Sequence, residues 1–148
     1  MIIRTVSISV SAPRDLVFNF LADIENLPRW AGDYCERITL ERGRWWALTV
    51  EGEQVIAIET NADAGVIDLH AGPAPDRLNP FPIRVLPLSA RRTLVNLTLI
   101  EAPDQTLETF ERRYQALLLA ARGLRRRFGG GELHPPVAAP QLTELGVN

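Results

Sequence analysis

The chain opens on a strict alternation, with Val6, Ile8 and Val10 set against Ser7, Ser9 and Ser11. Successive side chains of a strand point to opposite faces, so the pattern predicts a strand with one buried face. Ser11, Ala12 and Pro13 then read as a helix start, because serine can cap free amides and proline tolerates the first turn. Leu16, Val17, Phe20 and Leu21 follow at helical spacing. A second short helix is predicted over 23–31, entered through Asn26, Leu27 and Pro28, with Trp30 near its end.

From Tyr34 onward the period changes to two. Strands are predicted over 34–40, 45–50, 55–60, 66–70, 83–88 and 93–100. Turn signals at Arg42-Gly43, Glu51-Gly52 and Ala64-Gly65 join the earlier ones as a meander of hairpins. The proline-rich stretch 72–82 reads as an exposed loop at the mouth or edge of the sheet. The last helix, 104–128, carries Leu107, Phe110, Tyr114, Leu117, Ala121, Leu124 and Phe128 every three or four residues. At ~1.5 Å per residue it is long enough to cross a whole sheet. Its arginines, Arg112, Arg113, Arg122, Arg125, Arg126 and Arg127, read as a solvated face in preference to a basic patch for a partner. Gly129-Gly130-Gly131 ends the helix. The division is therefore a domain over 1–128 and a Gly/Pro-rich tail over 129–148.

This order gives an α+β architecture: a curved antiparallel sheet wrapped around one long C-terminal helix, with two short helices closing one end. A curved sheet cannot lie flush against a single rod across its full width. An internal apolar cavity is the expected result, and it would take a hydrophobic small molecule.

Composition narrows the function. A chain of 148 residues with formal net charge −2 is one domain long and has no general attraction for nucleic acid or anionic membrane. All 16 basic residues are arginine, which removes Schiff-base chemistry through a lysine. The one cysteine, Cys35, cannot form an internal disulfide, and no signal-like start or spanning segment is evident, so a cytoplasmic location is expected. Two distant histidines and one cysteine give no zinc spacing; no metal, nucleotide or flavin is implied.

Several side chains are candidates for chemistry. Trp46 shares a strand face with Leu48 and Val50, which places it toward the cavity and Trp45 outside. Trp30 is a second candidate lining residue, core packing being the alternative for both. Asp68 and His70, two apart on one strand, could form a carboxylate–imidazole acid–base pair. Alternation with Ile67 and Leu69, however, puts that pair on the outer face. Arg84 could bind a ligand carboxylate or enolate, or pair with Glu59 or Asp68 as a structural ion pair, and the ion pair is the stronger reading. Cys35 reads as a buried structural thiol.

The opening segments carry a resemblance. Ser11-Ala12-Pro13, Val17-Phe18, Phe20-Leu21-Ala22-Asp23 and Asn26-Leu27-Pro28-Arg29-Trp30 resemble the start of the START-related, Bet v 1-like superfamily. That superfamily includes polyketide aromatase/cyclases and lipid-transfer proteins. The resemblance covers residues 1–128 and implies the helix-grip fold. Asp23-Ile24-Glu25, Pro28 and Tyr34 resemble the cyclase segment that carries a pocket tyrosine, so the resemblance implies Tyr34 in that role. Where cyclases place an arginine at the end of the fourth strand, this chain has Thr60.

Two functions stand nearly level. One is binding of a hydrophobic or polyketide-like molecule with acid–base assistance to cyclisation or dehydration. In it Tyr34, His70 and Asp68 are catalytic, while Trp30, Trp46, Thr60 and Arg84 hold the ligand. The other is a non-catalytic carrier or sensor of an apolar ligand. An interaction module built from the arginine-rich helix and the tail ranks behind them, and a homodimer stays open.

Overall fold

The computed structural model describes residues 1–130 and 133–134. Strand β1 (Ile3–Val10) is followed by α1 (Arg14–Ala22), a 3-10 turn (Ile24–Asn26) and α2 (Leu27–Trp30). Six strands come next: β2 (Cys35–Glu41), β3 (Arg44–Thr49), β4 (Gly52–Asn61), β5 (Val66–Gly72), β6 (Asn79–Ser89) and β7 (Arg92–Ile100). Helix α3 (Leu107–Phe128) and the short β8 (Leu133–His134) complete the chain. The sheet runs β2-β3-β4-β5-β6-β7-β1-β8 with every pair antiparallel. It is the α+β helix-grip arrangement, a curved sheet closed on one face by α3 and the short helices.

The predicted alternation of the first strand holds. Val6, Ile8 and Val10 are fully buried, and Ile8 and Val10 face Val95 and Thr93 on β7. Ile83, Val85, Val95 and Leu97 continue the same layer, and α3 covers it with Phe110, Ala121 and Leu124. Each such side chain removed from water contributes roughly 1.5–3 kcal/mol before the entropy of ordering is counted. Arg4 clamps α3 onto β1, reaching both Glu111 carboxylate oxygens at 2.8 and 3.1 Å and lying over the Tyr114 ring at 4.6 Å. The Glu111 hydrogen bond holds the guanidinium proton more tightly, and the same bond holds the Glu111 carboxyl below its ordinary range.

Three local expectations change. Helix α1 starts at Arg14 with Pro13 at its cap position and no side-chain capping bond. The preceding turn is held from outside instead, where the buried Thr93 hydroxyl donates to the Ala12 carbonyl at 2.7 Å. Helix α3, predicted from 104, starts at Leu107, where the Thr106 side chain caps it by accepting from the Thr109 N–H at 3.1 Å. Finally, the stretch read as a loop over 72–82 is loop only over 73–78, because β5 runs to Gly72 and β6 begins at Asn79. Pro80 and Pro82 are tolerated there because residues 79–82 pair with β5 alone; pairing with β7 starts at Ile83.

At the hairpin between β4 and β5, Gly65 takes φ 70°, and a Cβ there would lie 2.2 Å from the Val85 carbonyl oxygen. Only glycine permits that approach. The tail expected over 129–148 lies outside the described residues except for Gly129, Gly130 and β8, whose backbone pairs with Ser7 and Ile8.

Candidate functional site

Between α3 and the inner face of β4–β6 the packing opens into a cavity of about 60 Å³. Arg113, Ala116, Leu117 and Ala120 face it from α3, spaced i, i+3, i+4 and i+7 on one helical face. The sheet supplies Ile56, Leu69, Ala71, Asn79 and Phe81, and the α2 corner supplies Leu27, Trp30, Ala31 and Tyr34. The space follows from the sequence: four of these positions are alanine, whose methyls cannot bridge the gap between helix and sheet.

Tyr34 is held by its backbone at the junction of two elements. Its N–H donates to the Ala31 carbonyl at 3.0 Å, and its own carbonyl accepts from Val50 N–H at 3.0 Å. Tyr34, Ala71, Asn79 and Arg113 also line a neighbouring, more polar hollow of about 230 Å³, with Glu51, Gln54, Asp104 and Gln105 among its other walls. The apolar cavity therefore ends at a polar mouth. There the Arg113 Nη1 donates to Gln105 Oε1 at 3.2 Å, and Gln105 Nε2 donates to Glu51 Oε1 at 3.2 Å. Arg113 Nε lies 3.4 Å from Glu51 Oε2, an ion pair in which Nε makes no hydrogen bond. This network ties the β3–β4 turn, the segment before α3 and α3 itself together around the opening.

Burial pushes the Tyr34 phenol up to about 12; the Arg113 guanidinium opposes this, Glu51 adds to it, and the Thr49 side chain opposes it weakly. Tyr34 is thus a donor that keeps its proton. Burial likewise pushes the Cys35 thiol up to about 11, and its Sγ donates to the Arg37 carbonyl at 3.4 Å. That makes it a structural thiol and not a nucleophile.

Of the residues singled out from the sequence, Tyr34 and Trp30 line the cavity. The others do not. Trp46 is on the convex face, where it lies opposite Thr39 and Val55 and beside Arg37, Arg44 and Glu53. Its neighbour Trp45 is the inward one, opposite the buried Ile56. The more apolar set Trp46, Leu48 and Val50 suggested the reverse, but register with β4 decides the face, and it buries the small Ala47 and Thr49. Asp68 and His70 point outward while Ile67 and Leu69 are buried, so the acid–base pair stands on the opposite side of the sheet from the cavity. Arg84 is outward too and bonds Asp68 Oδ1 at 2.8 Å, the structural ion pair of the two readings. Thr60 lies opposite the inward Ile67 at the end of β4, but it is exposed and beyond the cavity. Arg113, Asn79, Glu51 and Gln105 were not singled out for the site. Arg113 reads from the sequence, with its neighbours, as part of a solvated helix face; four residues before Leu117, it lies instead on the buried stripe with its side chain 11% exposed.

No protein-family model and no curated protein matches the sequence. Solved structures do. XoxI from Bacillus cereus superposes with a TM-score of 0.69 at 16% identity, over 86% of this chain and 96% of that one. A START superfamily protein from Mycobacterium smegmatis gives 0.61 at 14% identity, over 84% and 97%. The Zhui aromatase/cyclase from a Streptomyces species gives 0.58 at 22% identity, over 85% and 96%. The fold is START-like. Within this fold the cavity lies between the long helix and the sheet, and its polar end is built from Tyr34, Asn79 and Arg113. Among the described residues no cluster of His, Cys, Asp and Glu could hold a metal ion, and no helix is long and apolar enough to cross a membrane.

Proposed function

We infer that the protein binds a small, mostly apolar molecule in the cavity under α3, with a hydrogen-bond-accepting end at Tyr34, Asn79 and Arg113. The observation that carries this reading is the polarity gradient of one continuous wall, from Leu27, Leu69, Phe81 and Leu117 to those three polar side chains. A volume of about 60 Å³ is well below the ~300–1,000 Å³ of pockets for drug-sized ligands. The ligand is therefore compact, or it extends through the mouth into the adjoining hollow.

Binding without chemistry is the better-supported version. Among the cavity-lining residues the only groups with a titratable proton are Tyr34 and Arg113, and Tyr34 retains its proton to about 12. General acid–base turnover works best with a group poised near the operating pH. The likeness to an aromatase/cyclase keeps cyclisation or dehydration as the second reading, and in it Tyr34 would donate to a substrate carbonyl.

Titration with 2-naphthol, a compact apolar probe with one polar end, tests the reading through tryptophan fluorescence. Saturable binding is expected for the wild type, a loss of several-fold for Tyr34→Phe, and near-complete loss for Ala120→Leu, which fills the cavity. Unchanged binding by a folded Ala120→Leu variant would sink the reading.

A further inference from the structure

The two edges of the sheet are treated differently. On one side β1 is covered by the chain's own β8. On the other, β2 pairs with β3 only, and among the described residues no strand pairs with its second edge. An uncovered edge strand is a template for another strand, and proteins that must avoid this place like charges, proline or bulges there. Over 37–41, β2 has no proline and no bulge, and its two charges, Arg37 and Glu41, are of opposite sign; its one irregularity lies between Cys35 and Arg37.

The direction of the free backbone groups follows from the hairpin. Arg42 (φ 53°) and Gly43 (φ 74°) form the two-residue turn that joins Glu41 to Arg44. In such a turn the Glu41 carbonyl accepts from the Arg44 N–H, so Glu41 belongs to a hydrogen-bonded pair. Pairs alternate along an antiparallel ladder, which turns the backbone groups of Thr39 and Glu41 toward β3 and those of Ile38 and Leu40 toward the open edge.

The side chains of this segment have a two-fold pattern of their own. About Thr39 as centre, the sequence Glu36-Arg37-Ile38-Thr39-Leu40-Glu41-Arg42 is antisymmetric in charge and symmetric in hydrophobicity. A second copy laid antiparallel in this register would set Arg37 opposite Glu41 and Ile38 opposite Leu40, each twice. The backbone parity agrees: Ile38 and Leu40, the residues with free groups, face one another and exchange hydrogen bonds. Leu40, 57% exposed in the single chain, would be covered by Ile38 of the second copy. Centring the pairing on Ile38 or Leu40 satisfies the backbone equally but opposes no unlike charges.

We propose that this edge is a homodimer interface, in which β2 of two chains pair antiparallel about Thr39 and join the two sheets into one. The contact is a single strand pair, so the dimer is weak and concentration-dependent. Because its ion pairs are exposed, added salt weakens it.

Sedimentation velocity of the full chain from ~1 µM to ~1 mM, a range that spans weak association, tests the assignment. A reversible dimer is expected. Arg37→Glu or Glu41→Arg alone turns two attractive cross-strand pairs repulsive, and each should weaken association by about tenfold or more. The double variant R37E/E41R restores complementarity and should recover most of the wild-type affinity. Leu40→Pro removes an edge-facing N–H and should leave a monomer; because all three sites are exposed, circular dichroism should show each variant folded. A wild type that stays monomeric throughout would overturn the proposal. So would a dimer indifferent to the single reversals, or a double variant no better than either.

Discussion

One sheet builds two different interiors. Where β1 and β7 meet α3 and β6 meets α1, the side chains Val6, Ile8, Ile83, Val85, Val95 and Leu97 are all fully buried and the helices lie against the strands. Where β4 and β5 curve away, the facing residues are Ile56, Leu69 and Ala71, α3 presents Ala116 and Ala120, and a cavity is left. The apolar character is the same on both sides; what differs is side-chain volume against the distance to be filled. A close-packed interior punishes any change of volume, whereas a hollow one accepts added volume and gives up binding in exchange.

The sharpest way to break this comparison is to shorten one leucine on each side. Leu97→Ala in the filled half should lose stability toward the upper part of the ~2–5 kcal/mol range for such cores. Leu117→Ala, beside a space that already lacks packing partners, should fall near its bottom, at about 2 kcal/mol. Urea denaturation midpoints measure both, and equal losses would mean that the two halves are packed alike.

A finer version uses two adjacent alanines of α3. Ala121 is fully buried away from the cavity and Ala120 lines it. Ala121→Leu should cost ~1–3 kcal/mol by overpacking, while Ala120→Leu should stay within about 1 kcal/mol of the wild type. Thermal melts of the pair read out the difference.

The polar mouth adds a pH signature. Tyr34 is raised from 10.0 to about 12, so between those values the folded chain keeps a proton that the unfolded chain releases. Its contribution is complete below pH 10 and is lost as pH rises through about 12. Stability measured against pH should therefore fall less steeply over that window in Tyr34→Phe than in the wild type.

The smallest effect belongs to the convex face. The Arg84–Asp68 pair is exposed to the extent of 40% and 31%, so Arg84→Met should cost under about 1 kcal/mol. Neither it nor His70→Ala should change 2-naphthol affinity. A drop in affinity for either would place the outer face in contact with the site.

These contrasts also mark what could be read along the chain. The inward set on β1 and β5 was legible because large apolar residues alternate there with serine, or with Asp68 and His70. On β3 both faces carry a tryptophan, so alternation had nothing to choose with and volume misled: Trp46 is outside and Trp45 inside. For Asp68 and His70 alternation leaned toward the outer face while their spacing kept them as site candidates; the pairing register puts both outside together with Arg84, away from the cavity. Tyr34 was within reach only through the resemblance of its segment to the cyclases, and Trp30 as an aromatic near the end of a short helix.

The sequence by itself determined the local periods, the helix-grip order of elements, the long closing helix and the expectation of a cavity beneath it. Those features rest on spacing within a few residues, where strand and helix geometry leave little choice. Only the tertiary structure decided which face of β3 turns inward and how large the cavity is. It also decided that Glu51, Asn79, Gln105 and Arg113, from four separate segments, meet Tyr34 at the mouth. Contacts of that kind depend on register and on the path of α3 over a curved sheet, and both are set by residues far apart in the chain.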